Sequence, residues 1–319
     1  MLKYRSDDAF VPTSLALIYT FTGFPLALVG LYHAFLWPLA TLLLAHVWVI
    51  AAYLLHECAH NSVFEKPAHN RALGIVLSWL TGACYTPFDK LREKHLCHHV
   101  QREDVLAVNA YVLLDKYGAL KFMVTVLTRL GLPAFDMLTH CLVVILPFFR
   151  DEMAFQKKRV ALVLFIRSLF FVAMASIDLS VLLLYFISWV IFVGVLNFMD
   201  AFQHAYEINY SLMGASADSK HDRNYEESHT YSNLLSARFP FLNLLVLNFC
   251  YHNVHHTKPN EPWYRLPNLH QQLYPQGCPQ YLPFRETWRN FRKYRTERLS
   301  STQSSVNVGV DGVSFLVGL

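Results

Sequence analysis

Apolar residues in this chain come in long uninterrupted runs, not in the half-and-half pattern of a soluble amphipathic helix or strand. Residues 14–32 (SLALIYTFTGFPLALVGLY) and 35–55 (FLWPLATLLLAHVWVIAAYLL) contain no Asp, Glu, Lys or Arg. At about 1.5 Å of rise per residue, each reaches roughly 30 Å, one hydrocarbon thickness. A second pair of runs occupies 160–176 and about 180–199, separated by a short turn at Ile177 and Asp178. The pattern predicts an all-α membrane protein with four transmembrane helices in two hairpins. Three other apolar stretches, 73–88, 119–149 and 239–250, are too short or too interrupted by polar residues to span. The first two read as interfacial or re-entrant helices, and the third leads into a histidine cluster.

This topology assigns every basic residue to a side. Lys3 and Arg5 precede the first span, thirteen Lys/Arg lie between residues 56 and 159, and eleven follow residue 204. All but Arg167 fall on one side, which the positive-inside rule makes the cytosol, so both termini are expected there. Arg167 lies about two turns into the third span and is expected to snorkel or to pair with an acid such as Asp200. MLKYRSDD runs into a full-length span with no small-residue cleavage site, the pattern of a retained anchor. A membrane domain over 1–299, its cap built from 56–159 and 200–299, is expected to precede a tail at 300–319.

Composition agrees with a membrane protein. Of 319 residues only 16% are charged and 54% are hydrophobic, against roughly 25% charged in an ordinary soluble domain. Such apolar content excludes intrinsic disorder. Six cysteines without paired spacing read as reduced thiols rather than a disulfide framework. A net charge of +4 without an arginine-rich or aromatic-interleaved patch gives no reason to expect a nucleic-acid partner.

The chain has 16 histidines, and eight of them fall in three motifs: HECAH at 56–60, HLCHH at 95–99 and HNVHH at 252–256. Spacings of three and four put imidazoles on one face of a helix. His56 and His60 lie at the cytosolic end of the second span; the other motifs lie in the polar regions on the same side. His204, just past the fourth span, can reach the same place. Three helices presenting two, three and three imidazoles at one membrane level point to metal. His33, His46, His69, His140, His221 and His270 read as ordinary structural histidines, and His229 leans the same way.

Zinc is satisfied by three or four ligands, so eight or nine imidazoles imply two ions, and nitrogen-rich shells with open positions favour iron that binds dioxygen. Acids should orient and partly neutralise such a cationic site. Glu57, Glu93, Asp104, Asp200, Glu207 and Glu227 are candidates by sequence proximity. Cys58 and Cys97 sit about 200° around a helix from the neighbouring histidine and should face away. HECAH also fits H-E-x-x-H, the signature of an intramembrane zinc protease, but that reading leaves both HxxHH clusters unexplained. A metal transporter is the other alternative, though its ligands should lie inside the spans.

The order HxxxH, HxxHH, isolated histidine, HxxHH resembles the membrane fatty-acid desaturases and their hydroxylase and ketolase relatives. FQHAYE at 202–207 and NFCYHNVHHTKPNEPWYRLPNLHQQL at 248–273 are similar to that family's last two elements. The resemblance implies four spans, a cytosolic helical cap and a non-haem di-iron centre. Its ligands would be His56, His60, His95, His98, His99, His204, His252, His255 and His256. Some acyl-CoA members carry Asn four residues before the isolated histidine, where this chain has Asp200.

The expected reaction is oxygen-dependent desaturation of an acyl chain in a lipid or thioester, with hydroxylation or ketolation as the sister outcome. With neither a dinucleotide fingerprint nor a His-Pro-Gly-Gly haem motif in the chain, electrons should come from a ferredoxin, rubredoxin or cytochrome b5-like donor. The basic residues Arg285, Arg289, Arg292, Lys293, Arg295 and Arg298 offer such a donor a complementary surface. Hydrophobicity places the substrate tunnel along 73–88 and 119–149.

Overall fold

The computed structural model describes residues 3–106, 108–206, 208–210, 221–296 and 299. Glu207, Arg298 and the tail at 300–319 lie outside the described residues. The protein is mostly helical, with four helices long and apolar enough to cross a membrane. These contain α1 (Phe10–Leu31), α2 (Trp37–Ala59), α8 (Lys157–Ile177) and α9 (Leu179–Asp200). All four expected spans are present as helices, with ends that differ from the expected ones by at most four residues.

The four are not equivalent. α2 is buried along most of its length and packs against α1, α9 and α3 (Pro67–Thr81). α1 approaches α2 closely because it carries glycine at the crossing. A Cβ on Gly23 would lie 2.8 Å from Val47, and one on Gly30 would lie 2.9 Å from the Cβ of Ala40. Small residues at such crossings let backbones come together where lipid gives no hydrophobic drive. Outward, α1 and α8 expose Leu15, Ile18, Leu26, Leu162, Phe165 and Leu169, the face that hydrocarbon covers. Asp178 alone joins α8 to α9, and its Oδ1 caps α9 by accepting from Ser180 N at 2.8 Å.

Arg167 neither snorkels nor meets Asp200. It donates to the Trp79 carbonyl at 3.2 Å and to the Tyr185 hydroxyl at 3.4 Å, with its guanidinium 5.2 Å from the Phe171 ring. A backbone carbonyl at the end of α3 therefore supplies the partner for which the sequence offered only an acid.

The polar regions are short helices. α4 (Phe88–Gln101), α5 (Ala110–Lys116), α6 (Gly118–Arg129) and α7 (Ala134–Ile145) lie between α3 and α8. After α9 come α10 (Arg223–His229), α11 (His252–Thr257), α12 (Leu266–Leu273) and α13 (Phe284–Tyr294). The stretch 73–88 divides between the end of α3, a 3-10 turn and the start of α4; 119–149 divides into α6, α7 and a following turn. The 239–250 stretch holds only a 3-10 turn over Pro240–Val246.

Two short strands, β1 (Asp104–Leu106) and β2 (Ile208–Tyr210), pair in parallel with Asp104 opposite Ile208. Residues 3–8 fold over the polar face. Glu65 N donates to the Lys3 carbonyl at 3.0 Å and Arg5 N to the Val63 carbonyl at 3.2 Å. The Arg265 guanidinium grips both Asp8 oxygens at 2.8 Å.

Candidate metal centre

The three motifs lie on three helices. The last turn of α2 carries His56 and His60, α4 carries His95, His98 and His99, and α11 carries His252, His255 and His256. Each start and stop is set locally. α2 ends at Ala59 with His60 as its cap, and Asn61 follows at φ 54°, a left-handed position that asparagine tolerates. Buried Asn70 then fixes the loop, accepting from Val63 N and Phe64 N and donating to the carbonyls of Phe64 and Lys66. Before α11 the chain turns through two left-handed residues, Leu247 and Asn248, at φ 49° and 56°.

His204 is held outside any helix. Ala205 N donates to the His229 carbonyl at 2.9 Å and Tyr231 N to the Gln203 carbonyl at 2.8 Å, bridging His204 to Thr230. Asn253 Nδ2 reaches the Thr230 carbonyl at 2.6 Å, which brings α11 to the same place.

The nine imidazoles gather into two buried groups. His56, His60, His95, His99 and His255 form one; His98, His204, His252 and His256 form the other. Within each group one nitrogen per ring lies within 4.8 Å of all the others. Two nitrogens on opposite sides of one ion stand about 4.2 Å apart at a metal–nitrogen distance of about 2.1 Å, so each cluster has the dimensions of a coordination shell. Nε2 faces Nε2 repeatedly: 2.6 Å for His60 and His95, 3.2 Å for His255 and His99, 2.6 Å for His252 and His204. His99 and His256 stack at 4.2 Å between ring centres, so the two groups abut.

The donor set fits two metal ions. Burial first, then the neighbouring imidazoles, holds His60, His95, His99, His204, His252 and His256 well below the usual histidine range; burial and His56 do the same for His255. These rings are therefore neutral near pH 7 and present lone pairs, the form a metal requires. Among the described residues His256 Nε2 is buried without a hydrogen-bond partner, a cost that a metal bond would offset.

Acids surround the clusters unevenly. Glu57 lies 3.7 Å from His56 Nδ1, and its other oxygen accepts from Ser62 Oγ at 2.6 Å and Trp263 N at 3.2 Å. Asp104 lies 3.3 Å from His98 Nδ1. Asp200 is buried at the end of α9. Glu93 instead pairs with Lys90 at 2.6 Å, and Glu227 pairs with Arg223 at 3.2 Å, both on the exposed side.

The acid of α10 that meets an imidazole is Glu226, which sequence proximity did not select. Its Oε1 accepts from His256 Nδ1 at 3.1 Å and its Oε2 from Arg102 Nε at 3.0 Å. Arg102 ends α4 in the left-handed region at φ 59°. That strain, about 1 kcal/mol for a residue other than glycine, turns its side chain back toward Glu226. The only signal in the sequence is the i,i+4 pairing of Arg223 with Glu227, which leaves Glu226 on another side of α10.

The remaining histidines stay outside both groups. His46 bonds Tyr19 Oη at 2.5 Å and the Leu245 carbonyl at 3.1 Å, and His229 Nδ1 lies 2.9 Å from the Tyr225 carbonyl. Cys58 and Cys97 are in neither group, and all six cysteines are free.

Residues 9–288 match the fatty acid desaturase family. The chain belongs to that family. Membership implies oxidoreductase activity on an acyl lipid in a membrane setting. No curated protein is similar enough in sequence to match this desaturase-family chain.

Proposed function

We propose that this protein is an integral-membrane, oxygen-dependent di-iron desaturase that introduces a double bond into an acyl chain of a lipid or thioester. The observation that carries the reading is the pair of abutting all-imidazole groups at the ends of apolar helices. A zinc-protease site would use His56, His60 and one further ligand, and would leave six imidazoles buried without purpose. A transporter would hold its ligands at mid-membrane, whereas these lie at the end of α2 or beyond the spans.

The nine histidines would hold two irons, which would supply, with dioxygen and two external electrons, the oxidation that removes one hydrogen from each of two adjacent carbons. The protein's own part is positional. The helices α2, α4 and α11 hold the rings, Glu57, Asp104 and Glu226 fix their orientation, and burial excludes water from the reacting carbons. α2 and α9 run from the apolar region directly to His56 and His204, so a chain laid along them reaches the centre.

The supporting topology is two hairpins with both termini and the centre on the cytosolic side, as the distribution of Lys and Arg indicates. Electrons come from an acidic ferredoxin, rubredoxin or cytochrome b5-like donor docking on the basic cap.

Expression in a lipid-rich host followed by mass spectrometry of fatty acids and carotenoids tests the reaction. A new double bond that disappears in His98→Ala is the expected result. A hydroxylated or ketolated product would reassign the chain to the sister reactions, and a single zinc per chain would remove it from the class.

A further inference from the structure

A cavity of about 700 Å³ lies between α2, α9 and α13, with none of the nine imidazoles in its wall. This is the size of an ordinary small-molecule site. Of the 73–88 and 119–149 stretches expected to line a tunnel, only Gly131 and Pro133 border it.

Its wall is apolar apart from four residues: His46, Asn197, Arg292 and Arg295. The first two are engaged within the protein, His46 with Tyr19 and Leu245, and Asn197 as a donor to Asp136 at 2.5 Å. The two arginines differ. Arg295 donates to the Arg129 carbonyl, and among the described residues neither Arg295 nor Arg292 has a carboxylate partner. The groove therefore combines an apolar body with a cationic mouth.

Gly194, in the middle of α9, borders the cavity, and a Cβ built on it would meet nothing within 4 Å. Glycine inside a helix costs about 1 kcal/mol relative to alanine. At Gly23 and Gly30 close helix approach explains that cost; at Gly194 only the open space does. The rim residues Leu42, Leu245, Phe284 and Trp288 are exposed and apolar, and Leu42 lies on a span. α13 turns Phe284, Trp288 and Phe291 toward Phe198 on α9 at 5.8, 5.7 and 5.2 Å between ring centres. Its other face carries Arg285, Arg289 and Lys293, the make-up of a helix that lies in a membrane interface.

We propose that this groove binds a phosphate-bearing anionic lipid from the bilayer, its acyl chain along Gly194 and its phosphate on Arg292 and Arg295. Guanidinium matches phosphate in two-point hydrogen bonding, and the apolar rim opens onto hydrocarbon rather than water. The site is one of binding and stands whether or not the lipid held there is the one oxidised.

The test uses the full chain in phosphatidylcholine nanodiscs and reads tryptophan fluorescence, with Trp288→Phe as the reference that isolates the Trp288 signal. A few mole per cent of phosphatidylglycerol with brominated acyl chains should quench Trp288 at least twofold more than phosphatidylcholine carrying the same chains. Arg292→Gln/Arg295→Gln should abolish that preference, and Gly194→Leu should abolish the excess quenching by filling the groove. Gly194→Ala should keep it. Equal quenching by the two lipids, or an excess that persists in the arginine double variant, would overturn the proposal. If Gly194→Leu does not fold, the arginine variant decides alone. Since neither turnover nor metal is read, His98→Ala should bind as the parent does, which separates this site from the proposed reaction.

Discussion

Glu226 accepts a hydrogen bond from His256 Nδ1 at 3.1 Å, and that bond decides which nitrogen of His256 is left for a metal. A carboxylate only accepts, so Nδ1 carries the proton and Nε2 the lone pair. Glu226→Gln should weaken metal retention about 10–100-fold, the usual cost of losing such a partner. Glu227→Gln, one residue away and paired with Arg223 at the surface, should change nothing. Metal content after dialysis against a graded chelator separates the two.

Two groups of five and four imidazoles should hold about two irons per chain. His255→Ala, in the five-membered group, and His252→Ala, in the four-membered group, should each lose the ion of their own group first. Iron per chain by elemental analysis would then fall toward one in either variant and toward none in the pair. A stoichiometry of one in the parent would contradict the two-site reading.

Metal removal should make the protein sensitive to acid. Burial holds His60, His95, His99, His204, His252, His255 and His256 below the usual value of about 6.5, which they regain when the chain unfolds. Between that value and the lower folded values the unfolded chain binds more protons, so stability falls as pH falls below about 6.5 and is fully present above it. The thermal midpoint of the metal-free protein should therefore drop steeply between pH 7 and 5. A flat profile would show that these rings are not neutral and buried in the metal-free state.

Asn70 makes four hydrogen bonds to the loop that follows His60 and is fully buried. Asn70→Leu leaves backbone groups of Val63, Phe64 and Lys66 without their side-chain partner, at about 1–3 kcal/mol for a buried group left unsatisfied. Both thermal stability and iron content should fall, since the same loop sets the end of α2. Unchanged iron with reduced stability would mean that His60 is held independently of the loop.

The spans were legible because twenty apolar residues without a charge have few other uses, and helix ends fell within four residues of the reading. The histidine groups were legible as faces, because spacing of three and four needs only local helix geometry. What was not legible depended on packing between distant segments. Which rings share a group follows from how α2, α4 and α11 meet, so neighbours His98 and His99 part company while His56 and His255 join. Glu226 against Glu227 depends on the phase of a seven-residue helix, and the Arg167 partners depend on where α3 ends against α8.

The clasp between Asp8 and Arg265 joins segments 257 positions apart in the chain. The histidines that build the centre begin at residue 56 and end at 256, so a ribosome-bound chain can insert all its apolar helices while still lacking a complete metal shell. Neither group of imidazoles is complete without α11, which follows all four apolar helices in the chain, so the assembly of both groups depends on how those helices have packed.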